Sequence, residues 1–199
     1  YNFLKENSAL VFGDDNNLKL ESVTSFLRSI TSQKLQASIV ALSNLYDGFG
    51  PRRCALAMAG KVSLNKGNLW FRQISKNDVA LLYKWRLEKS TVIASRNPPP
   101  KNYNLHEDWF NSKLIDKPLI FSIIMFDDNP VGVLRLEEID FNENSFEIFI
   151  NISESYQNQN IAKTSLSLLK KITPNISIYA NILDNNQNSV KLFCNSGFV

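Results

Sequence analysis

Residues 157–171 read "QNQNIAKTSLSLLKK", an uncharged amide-rich turn running directly into an amphipathic helix. Ala162, Leu166, Leu169 and Ile172 recur at helical spacing on one face, with Lys163, Thr164, Lys170 and Lys171 on the other. Just before the turn, "SFEIFINI" (145–152) alternates Phe146, Ile148, Ile150 and Ile152 with Ser145, Glu147, Phe149 and Asn151, as a strand with two unlike faces does. A strand that delivers the chain to a helix start presents free N–H groups and the positive end of the helix dipole, which suits an anion such as a pyrophosphate. Glycine usually serves in such turns because it accepts positive φ. Here Asn160 holds the place, and asparagine is among the few other residues that enter the left-handed region readily. From the residues alone, a plain surface loop and an anion cradle both remain open.

Working outward, "ISIYANI" (176–182) alternates again and "NNQNSVKLFCNSGF" reads as a last helix ending at Gly197. Upstream, "LIFSIIMF" (119–126) and "VGVLRLEEI" (131–139) are strands joined by "DDNP", a hairpin signature. "LWFRQI" (69–74) is another strand, "SKNDVALLYKWRLEK" opens with cap residues and carries Val79, Leu82 and Trp85 on one helical face, and "LHEDWFNSKLI" (105–115) is a short helix. "SRNPPP" (95–100) permits neither helix nor ladder. The order strand, helix, helix, strand meander, then strand–helix–strand–helix predicts a mixed α/β domain, a sheet packed by helices.

The first sixty residues are mainly helical in pattern, with "SALVF" (8–12) as a strand candidate and "DGFGP" (47–51) as a strong turn. The polar stretch "KVSLNKGN" (61–68) is the expected boundary, giving segments 1–64 and 65–199. Tyr1 is not an initiator Met, and "SGFV" ends the chain where a strand is due, so the reading expects a piece of a longer protein. The sequence has 199 residues, 44% hydrophobic and 21% charged, ample for a packed core. A net charge of +3 with no Lys/Arg run gives no nucleic-acid stripe. No apolar stretch is long enough to cross a bilayer, so no membrane partner is expected. Cys54 and Cys194 sit in no CxxC or metal spacing, which fits a reducing, cytoplasmic setting. The carboxylates of "LEEID" and "DFNEN" match no metal-ligand set, and no metal is expected.

"INISESYQNQNIA" (150–162) resembles the coenzyme motif of the GNAT N-acetyltransferase superfamily, Gln/Arg-x-x-Gly-x-Gly/Ala. Gln157, Asn160 and Ala162 fall on its three defining positions, with Asn160 replacing the usual glycine. "ANILDNNQNSVKLFCNSGF" resembles the second coenzyme motif, with Asn186, Ser189 and Phe193 in register. "LWFRQISKNDVALLYKWR", "HEDWF" and "NPVGVLRLEEID" resemble the amino-sugar branch typified by the pseudaminic acid pathway N-acetyltransferase, so that the resemblance spans roughly 68–199. Separately, "NSALVFGDD" (7–15) and "LYDGFGPRRCALAMAG" (45–60) resemble the C-terminal tail of the glycosyltransferase-like sugar-nucleotide hydrolase of that pathway.

The resemblance implies the GNAT fold, with a central mixed, mostly antiparallel sheet flanked by helices. It also implies an acetyl-CoA dependent N-acetyltransferase acting by direct attack in a ternary complex, with an amino-sugar nucleotide of the pseudaminic or legionaminic acid type as acceptor. A homodimer is common in the family. It assigns coenzyme contacts to Ile150, Ile152, Gln157, Asn158, Gln159, Asn160, Ile161, Ala162, Asn186, Ser189 and Phe193. Backbone N–H groups of the 145–152 strand would hold the thioester carbonyl. Glu147, on the polar strand face, is the candidate base for the attacking amine, against an equal reading as a solvated glutamate; Glu138 is a weaker rival. Phe193 cannot protonate the departing thiolate as the tyrosine of many relatives does; Tyr156, Tyr179 or water are the alternatives. Trp85 and Arg86 are candidate stacking and phosphate contacts for the acceptor, and His106 a sugar contact. Each has an ordinary structural alternative, and Cys194 is expected to be a buried small residue. Two other functions stay in view: acetylation of a protein amine of the ribosomal type, and a degenerate coenzyme-binding or interaction module without turnover.

Overall fold

The computed structural model describes residues 20–45, 60–64, 67–116, 118–139 and 144–198. The chain divides into two units, Tyr1–Gly50 and Pro51–Val199. The described part of the first consists of helices α1 (Leu20–Ser29) and α2 (Ser32–Leu45), in keeping with the helical pattern there. Of the two hydrolase-like stretches, 7–15 and 45–60, the first and all of the second but Leu45 and Gly60 lie outside the described residues.

The second unit contains a six-stranded sheet in simple order: β1 (Val62–Leu64), β2 (Gly67–Gln73), β3 (Ile120–Phe126), β4 (Asn129–Glu138), β5 (Ser145–Ile152) and β6 (Ser177–Tyr179). All neighbours are antiparallel except β5 and β6. The mixed sheet flanked by helices is as the sequence pattern predicts, and its mostly antiparallel order is what the resemblance to the GNAT fold implies. Strand β1 falls inside the polar "KVSLNKGN" boundary stretch, because Val62 and Leu64 pair with Leu69 and Gly67.

Period-two alternation sends two sets of side chains to opposite faces. One face carries Leu69, Phe71, Ile124, Leu134, Leu136, Phe146, Ile148 and Ile152, covered by Ile161, Leu166 and Leu169 of α6 (Ile161–Ile172) and Phe193 of α7 (Gln187–Asn195). The other carries Phe121, Ile123 and Met125, covered by Leu82 and Trp85 of α3 (Val79–Arg86) and Phe110 of α5 (Tyr103–Ile115). A further short helix, α4 (Lys89–Ala94), lies between α3 and α5 in the chain. Strand β3 is buried on both faces, which is why its sequence is nearly all apolar.

Local chemistry fixes the entry to α3. Ser75 N–H and Oγ donate to Asp78 Oδ2 at 2.7 and 2.9 Å, and Arg72 forks onto both Asp78 oxygens at 3.0 and 2.8 Å. Burial alone would raise the Asp78 carboxyl, but Arg72 and Ser75 outweigh it and hold it below the ordinary carboxylate range. At the other end of the unit, Gly197 adopts φ 75° after α7, and Lys170 Nζ donates to the Ser196 carbonyl at 2.5 Å, satisfying the helix C-terminus. Strands β4 and β5 approach tightly at Gly132, where a Cβ would stand 2.4 Å from the Asn151 carbonyl oxygen.

Candidate active site

The site forms where β5 and β6 part. Their parallel ladder runs only from Ser145↔Ser177 to Glu147↔Tyr179. Strand β5 continues to Ile152 along β4, while the chain after Tyr179 leaves the sheet. Residues 148–152 therefore turn a backbone edge, with no ladder partner among the described residues, toward the gap. The sequence expectation of a strand over 176–182 overstates β6, which stops at Tyr179 because this divergence removes its partner.

From Ile152 the chain passes through a 3₁₀ turn (Glu154–Tyr156) and an exposed turn into α6. Asn158 and Asn160 both take φ 60°, and Asn160, at ψ 8°, is the residue that opens α6. Its side chain makes no capping hydrogen bond, so it leaves the first N–H groups of α6, from Ile161 through Lys163, uncapped by it. Gln157 is turned inward instead: its Nε2 donates to the Ile152 carbonyl and to Ser90 Oγ, both at 3.0 Å. Gln159 Nε2 donates to the Ser155 carbonyl at 3.3 Å. A reciprocal clasp adds rigidity. Ser90 N–H donates to Glu154 Oε1 at 2.7 Å, and Glu154 N–H donates to Glu88 Oε2 at 3.0 Å. The Ser90 donors hold the Glu154 carboxyl below its ordinary range.

On the polar face of β5, Glu147 Oε1 accepts from Arg96 at 2.5 Å and from Asn181 Nδ2 at 2.9 Å. Asn151 Oδ1 accepts from Thr91 Oγ1 of α4 at 3.1 Å. Register places Glu137 of β4 opposite Glu147, and Arg135 opposite Phe149. Glu138 pairs opposite Phe146, so it lies on the other sheet face and drops out as a rival base. Arg135, missed in the sequence, is buried under three rings, with its guanidinium 4.4 Å from Phe149, 5.1 Å from Trp109 and 5.6 Å from Phe121. Burial pushes it below the ordinary arginine range, against the pull of Glu137 and Glu147.

Several expected site residues lie elsewhere. Trp85 is 3% exposed among core residues of α3, α5 and β3, so it has no free face for stacking on a ligand. Arg86 is committed to the chain itself: it donates to Ser95 Oγ and, at 2.6 Å, to the Asn97 carbonyl, holding the proline-rich loop. His106 is 2% exposed, between Tyr83 and Trp109, and reaches no open surface. Cys194 is exposed rather than buried, since Phe193 takes the inward position on α7. Phe193 is buried against Phe198, Asn186 Oδ1 caps α7 by accepting from Ser189 N–H at 3.2 Å, and Ile150 is half-buried on the edge of the gap. Tyr156 is half-buried against the first core and Tyr179 is exposed.

The burial of His106 has a pH signature. Desolvation lowers its pKa below 6.5, with a hydrogen bond to the Val79 backbone opposing and the Arg86 charge assisting. Between the folded value and 6.5 the unfolded chain binds more protons, so stability is full above that window and falls as pH drops through it. The sequence has one histidine, which isolates the effect. The melting temperature is expected to decline from pH 7.5 to pH 5.5, and more shallowly in His106→Phe, which keeps the aromatic stack. Parallel pH slopes in the two proteins would contradict this.

The profile of the acetyltransferase (GNAT) domain family matches residues 68–199, the whole of the sheet from β2 onward. The chain belongs to the GNAT acetyltransferase family. It is accordingly an acetyl-CoA dependent N-acetyltransferase, with acetyl-CoA as cosubstrate. Among solved structures it is similar to a domain from Methanocaldococcus jannaschii, at 29% identity and TM-score 0.56, covering 67% of this chain and 89% of that one. It is similar in fold to the Vibrio cholerae spermidine N-acetyltransferase in complex with CoA and spermine, at 20% identity and TM-score 0.59, over 66% and 80% of the two chains. Mycobacterium smegmatis RimJ in complex with CoA-disulfide shares the fold at 15% identity and TM-score 0.58, over 70% and 74%. No curated protein matches the sequence as a relative. Among the described residues of this GNAT chain, no three His, Cys, Asp or Glu side chains converge as a metal site would require, and no helix is long and apolar enough to cross a membrane.

Proposed function

We propose that this GNAT domain transfers the acetyl group of acetyl-CoA to the amine of an amino-sugar nucleotide, with Glu147 as the base. The observation that carries the coenzyme half is Asn160 in the left-handed conformation, opening α6 beside the unpaired edge of β5. On this reading the N–H groups of Ile161, Ala162 and Lys163, with those of the turn Asn158–Asn160, take the pyrophosphate. The edge at Ile150 and Ile152, whose Ile152 carbonyl Gln157 already engages, takes the pantetheine arm and the thioester carbonyl, whose developing negative charge a backbone N–H stabilises. Side-chain charge at the turn is unnecessary, which accounts for its uncharged sequence. Asn186, Ser189 and Phe193 border the far side of this arm.

The acceptor amine enters on the polar face of β5. Its nitrogen attacks the thioester carbonyl carbon, the C–S bond breaks, and the proton shed by nitrogen passes to the Glu147 carboxylate, directly or through a water. Arg96 is an exposed partner on a proline-rich loop, and it can yield to the incoming amine. The resemblance of 69–86, 106–110 and 129–140 to the amino-sugar branch supports the nucleotide-sugar acceptor. Phe193 fills the place of the family's proton donor with a ring that has no proton to give, so on this reading the thiolate leaves unaided or takes its proton from water.

The test begins with thermal unfolding of the protein with and without saturating acetyl-CoA. A ligand at ~100 times its dissociation constant adds about 2.7 kcal/mol. A rise in midpoint, followed by acetylated product with an amino-sugar nucleotide, supports the reading. A rise with product from other amines but none from an amino-sugar nucleotide overturns the acceptor assignment, and no rise overturns the coenzyme half.

A further inference from the structure

From the side chains around Arg135 we infer that the acceptor carries an oxyanion, a carboxylate or phosphate, which docks on the Arg135 guanidinium while the amine sits at Glu147. The inference rests on the proposed entry of the acceptor across the polar face of β5, and it deepens that reading by assigning a specificity-determining residue and excluding polycationic acceptors.

Arg135 is 9% exposed, yet a planar guanidinium offers five N–H donors. Its Nε is sealed from solvent and makes no hydrogen bond; Glu137 Oε1 lies 3.2 Å away without hydrogen-bond alignment. Glu137 is itself taken by Lys113 Nζ at 2.7 Å. Among the described residues no side chain or carbonyl accepts a hydrogen bond from the terminal nitrogens. A sealed donor is normally paired, and Nε is not; the terminal nitrogens are not sealed in the same way. Stacking on Phe149 and Trp109 supplies some attraction but fills no donor.

The surroundings favour an anion in that position. Phe149 is approached by two guanidinium groups, Arg135 at 4.4 Å and Arg96 at 5.9 Å from its centroid. The two carboxylates that act on Arg135 are already shared, Glu137 with Lys113 and Glu147 with Arg96, while Arg86 adds a further positive charge. Arg135 is opposite Phe149, and Glu147 is two residues along the same strand face. Diagonal neighbours on adjacent strands stand ~7–8 Å apart, the reach of a small molecule bearing both an amine and an oxyanion. Trp109, 38% exposed, and half-buried Phe149 supply apolar walls beside the guanidinium. Bidentate geometry makes arginine, rather than lysine, suited to carboxylate and phosphate.

The test compares acetylation of glucosamine, glucosaminic acid and glucosamine 6-phosphate by the wild-type chain, Arg135→Lys and Arg135→Gln. The wild type should prefer one of the anionic amines by about 30-fold in kcat/KM, in line with hydrogen bonds to a charged group. Which one it prefers separates carboxylate from phosphate. In Arg135→Gln the preference should fall to near unity through KM, and Arg135→Lys should recover part of it. A midpoint rise with acetyl-CoA in each variant reports that the fold and the coenzyme turn survive. A direct measurement runs alongside: inorganic phosphate titrated into the protein, with CoA and without it, should shift the Arg135 Nε–H resonance, identified by its loss in Arg135→Lys. An anionic preference that survives Arg135→Gln, spermidine as the best acceptor, or a phosphate-insensitive resonance overturns the inference. Absence of any acetyl-CoA effect in the wild type would instead overturn the proposed activity, leaving the phosphate titration to decide on Arg135.

Discussion

Glu147→Gln is expected to lower kcat for acetyl transfer by about 10²–10⁴-fold, the range set by removing a positioned general base. The substitution is close to isosteric, and an amide oxygen can still accept from Arg96 and from Asn181 Nδ2, the two donors that hold the carboxylate at 2.5 and 2.9 Å. The polar face of β5 should therefore keep its shape. Acetyl-CoA should bind as before, because the turn at Asn158–Asn160 and the edge beyond Glu147 owe nothing to the carboxylate charge. Glu147→Asp should recover part of the rate. A glutamate serving only as a strut for Arg96 predicts the reverse, a lower melting temperature with nearly normal turnover. Steady-state kinetics with thermal melts of the three proteins separates the two, and a Glu147→Gln enzyme with wild-type kcat would remove Glu147 from the chemistry.

The part of the fold legible in sequence is the part written in local periodicity. The alternation of 145–152, the helical spacing of 161–172 and the left-handed tolerance of asparagine at 160 were enough to place strand, turn and helix. Helix α4 was not legible, because a six-residue helix containing Thr91, Val92 and Ile93 has weak intrinsic preference. It is held from afar by Glu154, Gln157 and Asn151, all more than fifty residues away. Strand β6 was overstated for the converse reason: alternation describes the residues of 176–182, but only a partner makes a strand.

The site was less legible, because burial is a tertiary property. Trp85 with Arg86 had the composition of a ligand shelf, yet one side chain fills the core and the other ties down a loop. Arg135 gave no signal, since an arginine in "VGVLRLEEI" reads as the solvated half of an alternation. What buries it are rings from α5, β3 and β5, brought together only by the antiparallel register of β3, β4 and β5.

Asn160→Val is expected to weaken acetyl-CoA binding by on the order of 10²–10³-fold, the loss of one or two hydrogen bonds to charged groups at ~1.5–3 kcal/mol each. At φ 60° and ψ 8° a β-branched side chain meets the backbone, costing roughly 1–2 kcal/mol or more, so valine will leave the left-handed region and carry the turn with it. The N–H groups of Ile161, Ala162 and Lys163 then no longer converge with those of the turn. The fold itself should survive, since the turn is exposed and Ile161, Leu166 and Leu169 anchor α6 in the core. Asn160→Gly is the decisive control: glycine takes this conformation without strain, and it should bind acetyl-CoA at least as tightly as the native residue. Calorimetric titration of the three proteins reads the order directly. If valine, asparagine and glycine bind alike, backbone conformation at 160 is irrelevant to the coenzyme, and its phosphates must be held somewhere other than the mouth of α6.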